Sequence, residues 1–261
     1  ISRKELNDPT EADIVASFNS DNVNWSFDTQ GTVVTGKYDM VSVVLHEIGH
    51  GLGITHSYEV SGDNGQIQDF FNGNPLIFES FLENQTPTNL VTGFSSPSTD
   101  LADQLTGGRL FFNSPLVLSA NDSLKGVIYA PSTYNAGSSI AHLDENSYPR
   151  GDQNSLMTPS LNSAEIIYDP GPITMGILKD MGWSTVLIQH NPIASTEDLS
   201  TDFPVICQIK SDTAYDASSL RLSYTSDGMT FTSKTMTPTA NANEFQSSIP
   251  KTGTPVAYGY Y

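Results

Sequence analysis

A single cysteine, Cys207, in 261 residues excludes an internal disulfide framework. Its neighbours alternate, with Val205, Cys207 and Ile209 on one side and Ile206 and Gln208 on the other, which reads as a core strand position and not a reactive thiol. Basic residues are scarce as well: 11 Lys and Arg stand against 29 Asp and Glu, for a net charge of −18. That balance argues against nucleic acid or an anionic membrane surface as partner. The surplus carboxylates are possible ligands for Ca²⁺, but no EF-hand-like loop is present and a solvated acidic surface is the simpler reading. No run of about 18 apolar residues exists to span a membrane. The chain opens at Ile1, with neither Met nor a signal peptide. Its length leaves room for one large or two ordinary domains with ample core.

Histidines number only five, and four of them fall where a metal site would need them. The stretch Val44-Leu45-His46-Glu47-Ile48-Gly49-His50-Gly51-Leu52-Gly53-Ile54-Thr55-His56 starts apolar, as a buried helix does. A helix beginning near Asp39, its N-cap, puts His46 and His50 one turn apart on the same face. Two imidazoles so held can share one divalent ion, with Zn²⁺ the usual occupant. Glu47 stands beside the first of them, where it can take a proton from water and need not ligate the metal. Gly51 and Gly53 weaken the helix and end it. His56 then follows three residues after Gly53, where a turning chain can carry it back under the metal. The competing structural reading is a buried helix with hydrogen-bonded core histidines. A bare HExxH arises by chance; the added Gly and third His make chance a poor explanation.

Elsewhere, Ala12–Asn19 alternates like a strand, as does the stretch around Trp25 and Phe27, and Gln30-Gly31 and Thr35-Gly36 mark turns. Residues 1–10 read as a polar loop or helix end. Ser61–Gln66 is loop-like; Phe70, Phe71, Ile77, Phe78, Phe81 and Leu82 form an aromatic patch that reads as core, with a substrate-facing wall the alternative for some of them. A short helix fits Thr99–Leu105, and short strands fit Leu110–Phe112 and Leu116–Leu118, in a long insert expected to hold little regular structure. Gly137-Ser138-Ser139-Ile140-Ala141-His142-Leu143-Asp144-Glu145 precedes Leu156-Met157-Thr158-Pro159, and the apolar spacing of Ile173–Trp183 predicts an amphipathic helix capped at Gly182.

HExxH followed by Gly53 and His56 resembles the metzincin pattern HExxHxxGxxH of zinc peptidases. With the long insert, Ser-x-x-His at Ser139–His142, the Leu-Met-x-Pro turn and the closing Asp-Met-Gly-Trp, the order of motifs resembles the leishmanolysin-like branch, and more closely secreted metallopeptidases of Bacteroidetes-type bacteria. The resemblance covers about residues 12–183. It implies an α+β metzincin-like catalytic domain over residues 1–184, with an active-site helix, a Met-turn at Met157 beneath the metal and a C-terminal helix. It also implies His142 as third zinc ligand beside His46 and His50, in conflict with the spacing that favours His56; His142 is preferred. A carboxylate of the following Asp144-Glu145 is expected to orient the His142 ring. Only 45 residues precede His46, so part of the domain's N-terminal sheet is expected to be missing, and the C-terminal end reads as cut within a strand.

Residues 185–261 are Ser- and Thr-rich, with short alternating segments at Val186–Ile188, Val205–Ile209, Leu220–Tyr224, Phe231–Lys234, Phe245–Ile249 and Val256–Tyr260. Ser226-Asp227-Gly228 suits a tight hairpin. An all-β fibronectin-III or immunoglobulin-like sandwich is expected, without catalytic residues, serving as a spacer or as a module that binds a surface or glycan. His190 reads as an exposed linker residue. The functional expectation is a secreted or cell-surface bacterial zinc endopeptidase acting on protein or peptide substrates, with Glu47 as general base. The alternative is a surface adhesion protein with a structural zinc site, against which the intact Glu47 argues. The walls of the specificity pocket are expected from the insert and from the segment after Met157.

Overall fold

The computed structural model describes residues 10–21, 24–28, 31–32 and 35–261. The loop or helix end expected over residues 1–10 lies outside the described residues except for Thr10, and so does Gln30 of the expected turn. The chain divides into two compact units, Ile1–Trp183 and Ser184–Tyr261. It mixes helix and sheet, with short strands outnumbering helices. No helix among the described residues is long and apolar enough to cross a membrane.

In the first unit, β1 (Trp25–Ser26) and β2 (Tyr38–Asp39) form a short parallel pair leading into helix α1 (Met40–Gly51). The helix starts where it does because the wholly buried Asp39 carboxylate accepts from the Ser42 N–H and the Ser42 hydroxyl, each at 2.7 Å. This satisfies an N–H of the first turn that has no partner within the helix. It stops where the Leu52 and Gly53 N–H groups bond back to the Ile48 and His50 carbonyls. Gly53 takes φ of 107° there, a backbone that costs a glycine little.

Ala12–Asn19 forms no strand, because its alternation finds no neighbouring strand to pair with among the described residues. Ile14 lies against Gly51 of α1, and Val15 is exposed.

A hairpin of β3 (Tyr58–Ser61) and β4 (Asn64–Ile67) follows α1. Then come β5 (Leu82–Asn84), α2 (Leu90–Gly93), α3 (Thr99–Leu105), β6 (Leu110–Phe112), α4 (Pro115–Ala120) and β7 (Gly126–Ile128). The strands β5, β6 and β7 form one antiparallel sheet in that order. The long insert thus carries more regular structure than its sequence suggested. Leu116–Leu118 is helical and not a strand: Pro115 is pre-set for a first helical turn, and the Asp180 carboxylate accepts from the Leu116 N–H at 2.8 Å.

The aromatic patch divides. Phe78 and Leu82 are wholly buried, and the Phe78 and Phe81 rings pack on Phe112 at 5.1 and 5.0 Å, whereas Phe70 is 85% exposed. After a 3₁₀ turn at Ser155–Met157, helix α5 (Gly171–Asp180) closes the unit, and Trp183 Nε1 donates to the Leu52 carbonyl at 2.7 Å. One apolar core joins Ile54, Phe78, Phe112, Leu143, Met157 and Ile177.

The second unit holds β8 (Val186–His190), β9 (Phe203–Ser211), β10 (Arg221–Thr225), β11 (Thr232–Thr235), β12 (Thr237–Pro238), β13 (Glu244–Ile249) and β14 (Gly259–Tyr260). They form a four-stranded sheet ordered β12-β13-β9-β8 and a three-stranded sheet ordered β11-β10-β14. A single core of Val205, Cys207 and Ile209 with Phe245, Leu222 and Tyr224 draws on both sheets. Asp227 makes the β10–β11 turn, its carboxylate accepting the Met229 and Thr230 N–H groups at 2.8 and 2.7 Å. His190 is the last residue of β8 and not an exposed linker residue. Its Nδ1 donates to the Ile206 carbonyl at 2.8 Å, and its Nε2 accepts from the Tyr260 hydroxyl at 2.9 Å.

Candidate metal centre

Helix α1 carries His46 and His50 four residues apart on one face, with Gly49 between them. A Cβ at Gly49 would come within 2.5 Å of Met157 Sδ, so the helix rests directly on a wholly buried methionine whose side chain would have to shift to admit any larger residue. The Met157 turn is tied in its turn to the His142 segment, since the Leu143 N–H donates to the Met157 carbonyl at 2.8 Å. The Tyr129 N–H, just past β7, donates to the His142 carbonyl at 2.8 Å. Three separated pieces of chain thereby meet at one place.

There His46, His50 and His142 turn their ring nitrogens toward one another, each offering one ligand atom within 4.8 Å of the others. The His50 and His46 Nε2 atoms are 3.0 Å apart, and those of His142 and His46 3.2 Å. Each Nδ1 faces a main-chain carbonyl: Leu156 at 2.7 Å for His46, Ile54 at 2.8 Å for His50, Ser138 at 2.7 Å for His142. A carbonyl oxygen only accepts, so each Nδ1 carries the proton and each Nε2 presents a lone pair. Three lone pairs at this separation repel unless a cation lies among them. Tetrahedral zinc with Zn–N bonds of about 2.0–2.1 Å holds its nitrogen ligands about 3.3–3.4 Å apart, close to the spacing found. The donor set fits Zn²⁺.

Burial, foremost, lowers the pKa of His46, with the His50 ring adding to it. Burial likewise pulls His142 down to about 3, the neighbouring histidines contributing. Both rings are therefore neutral at physiological pH, the form in which imidazole ligates a metal.

Glu47, the expected proton acceptor, is exposed and close enough to His46 to act on its charge. Both line a cavity of about 170 Å³ whose other walls include Val43, Leu156, Leu161 and Ile167. Those walls come from α1, from the turn at Ser155–Met157 and from the chain that follows it.

His56 is not one of the convergent trio. It is buried, its Nδ1 has no hydrogen-bond partner among the described residues, and its ring meets Tyr134 edge-on at 6.5 Å. Burial depresses its pKa to about 4, although the nearby backbone of Tyr58 and Ser139 favours the proton. The carboxylates after His142 do not orient its ring. The Ser138 carbonyl does that, and Asp144 instead accepts from the Ser147 N–H and hydroxyl at 2.9 and 2.7 Å. The carbonyls of Ile54, Ser138 and Leu156 were missed by the sequence reading because no side-chain type marks a main-chain oxygen.

A family model described as SPBPB7E8-like matches residues 4–114, less than half of the chain, a span that takes in His46, Glu47, His50 and His56 but stops short of His142. No curated protein and no solved structure matches the chain.

Proposed function

We propose that this protein is a zinc-dependent endopeptidase of the metzincin type, in its leishmanolysin-like branch, exported to the cell surface or medium of a bacterium and acting on protein or peptide substrates. The observation that carries the reading is the convergence of three Nε2 lone pairs whose Nδ1 protons are all engaged by main-chain carbonyls. His46, His50 and His142 would hold Zn²⁺, three protein ligands being the number that leaves a position open for chemistry. When bound, zinc would supply Lewis-acid polarisation of the scissile carbonyl and make a neighbouring water more acidic.

Glu47 would accept the proton of the attacking water and deliver it to the leaving amine, so that one carboxylate serves both halves of the hydrolysis. Its exposure beside the cavity it shares with His46 supports that role. The cavity, lined by apolar residues and by hydroxyls such as those of Ser42 and Thr158, would take one substrate side chain of modest size. The second unit, with its two sheets over one core, would be a fibronectin-III or immunoglobulin-like module binding a surface or glycan.

Glu47→Gln tests the mechanism. Zinc should stay at one equivalent while cleavage of an unstructured protein falls by about 10²–10⁴-fold, the usual effect of losing a general base. Normal turnover by the variant would refute the role of Glu47; a wild-type protein that takes up no zinc would refute the reading as a whole.

A further inference from the structure

The segment that delivers His142 holds a residue in a backbone conformation foreign to its type. Ile140 has φ of 72°, in the left-handed region, which β-branched residues almost never occupy. It is also wholly buried within the apolar core of the first unit. The surrounding hydrogen bonds explain why the chain must reverse there. Both peptide groups of Tyr129 are engaged by this segment: its carbonyl accepts from the Ile140 N–H at 2.8 Å, and its N–H donates to the His142 carbonyl at 2.8 Å. Residues 140 and 142 are thus both fastened to Tyr129, just past β7. On the other side, the Ser138 and Ser139 N–H groups both donate to the Asn135 carbonyl, at 3.0 and 2.9 Å, closing a turn. The left-handed step at Ile140 joins that turn to the segment bonded to Tyr129, and the Ser138 carbonyl lies 2.7 Å from His142 Nδ1.

Glycine would take this backbone without strain. An isoleucine there needs a compensating anchor, and its side chain in the core is one. We infer that Ile140 is a positioning residue for the third histidine: its buried side chain pins the reversed backbone that aims His142 Nε2 at His46 and His50. This rests on the proposed metal site and goes beyond it, since it assigns the aim of one ligand to a residue that touches neither metal nor substrate. Residues that orient ligands in this way are worth about 10–100-fold in metal affinity.

The test measures zinc affinity by chelator competition and the visible spectrum of the Co²⁺-substituted full chain. Ile140→Gly, which relieves the strain and removes the anchor, should bind zinc at least tenfold more weakly and shift the Co²⁺ bands. Ile140→Val, which keeps branching and burial, should stay within about twofold of wild type. Leu105→Ala, cut into the same core on α3, controls for stability alone and should keep wild-type affinity and spectrum. Wild-type affinity in Ile140→Gly, or an equal loss in Leu105→Ala, overturns the positioning role while leaving the metal site standing. No zinc binding by the wild-type chain overturns both.

Discussion

Each of His46, His50 and His142 gives one ring nitrogen to a carbonyl and keeps the other for the centre of the group. His56 stands outside that trio, although its spacing from Gly53 makes it the rival third ligand. Metal analysis of alanine variants separates the two: His46→Ala, His50→Ala and His142→Ala should each lose stoichiometric zinc, and His56→Ala should keep it. Retention in His142→Ala with loss in His56→Ala would reverse the assignment. His56 carries a second, thermodynamic consequence. Its pKa is about 4 when folded, against 6.5 for the free side chain. As pH falls below about 6.5 the unfolded chain binds a proton at this residue that the folded chain refuses, so the contribution of His56 to stability drops until about pH 4 and is then constant. The difference corresponds to about 3 kcal/mol. Replacing His56 with Gln should flatten this part of the stability–pH curve of metal-free protein, read by urea denaturation at several pH values. An unchanged slope would mean that the ring is not buried as described.

At the level of elements, the fit of α1 to the Met157 turn is the most exacting contact. Gly49→Ala pushes a methyl into Met157 Sδ, and overpacking of this kind costs about 1–3 kcal/mol. Combining it with Met157→Ala should recover part of the loss in denaturant unfolding; strictly additive effects would count against the contact. Asp39→Ala should cost about 1 kcal/mol or more, because it strips a cap from the start of the same helix. That helix was legible in the sequence from start to finish, since cap, apolar run and terminal glycines all pointed one way. So was α3, where Ser98 caps the first turn by accepting the Leu101 N–H. Leu116–Leu118 misled because two apolar residues at spacing two fit a strand, while the decisive cues, Pro115 and the distant Asp180, act from outside the pattern. Ala12–Asn19 misled for a complementary reason: alternation describes a strand only if another strand lies beside it. The spacing of His46 and His50 could be read directly. That His142 lies beside them is a contact across 96 positions, which no local periodicity encodes.

Across the whole molecule, two cores with no shared members divide the chain's stability into two accounts. All of the proposed metal ligands belong to the first unit. Removing zinc with a chelator should therefore lower one calorimetric transition and leave the other in place. The shift should grow with the logarithm of the free zinc concentration when metal is added back. A single transition that moves as one would show instead that the two units unfold together.

The three oxygens that orient the histidines belong to the main chain of Ile54, Ser138 and Leu156. Point mutation can change a side chain but cannot delete a carbonyl. A substitution at these positions therefore leaves the accepting oxygen in place, which a substitution of an orienting carboxylate would not, although Ile54 and Leu156 are also buried in the core and a change there costs packing. The weakness of the arrangement is to changes in chain length: inserting one residue between Ser138 and His142, or between His50 and Ile54, would carry the oxygen away from the ring it serves.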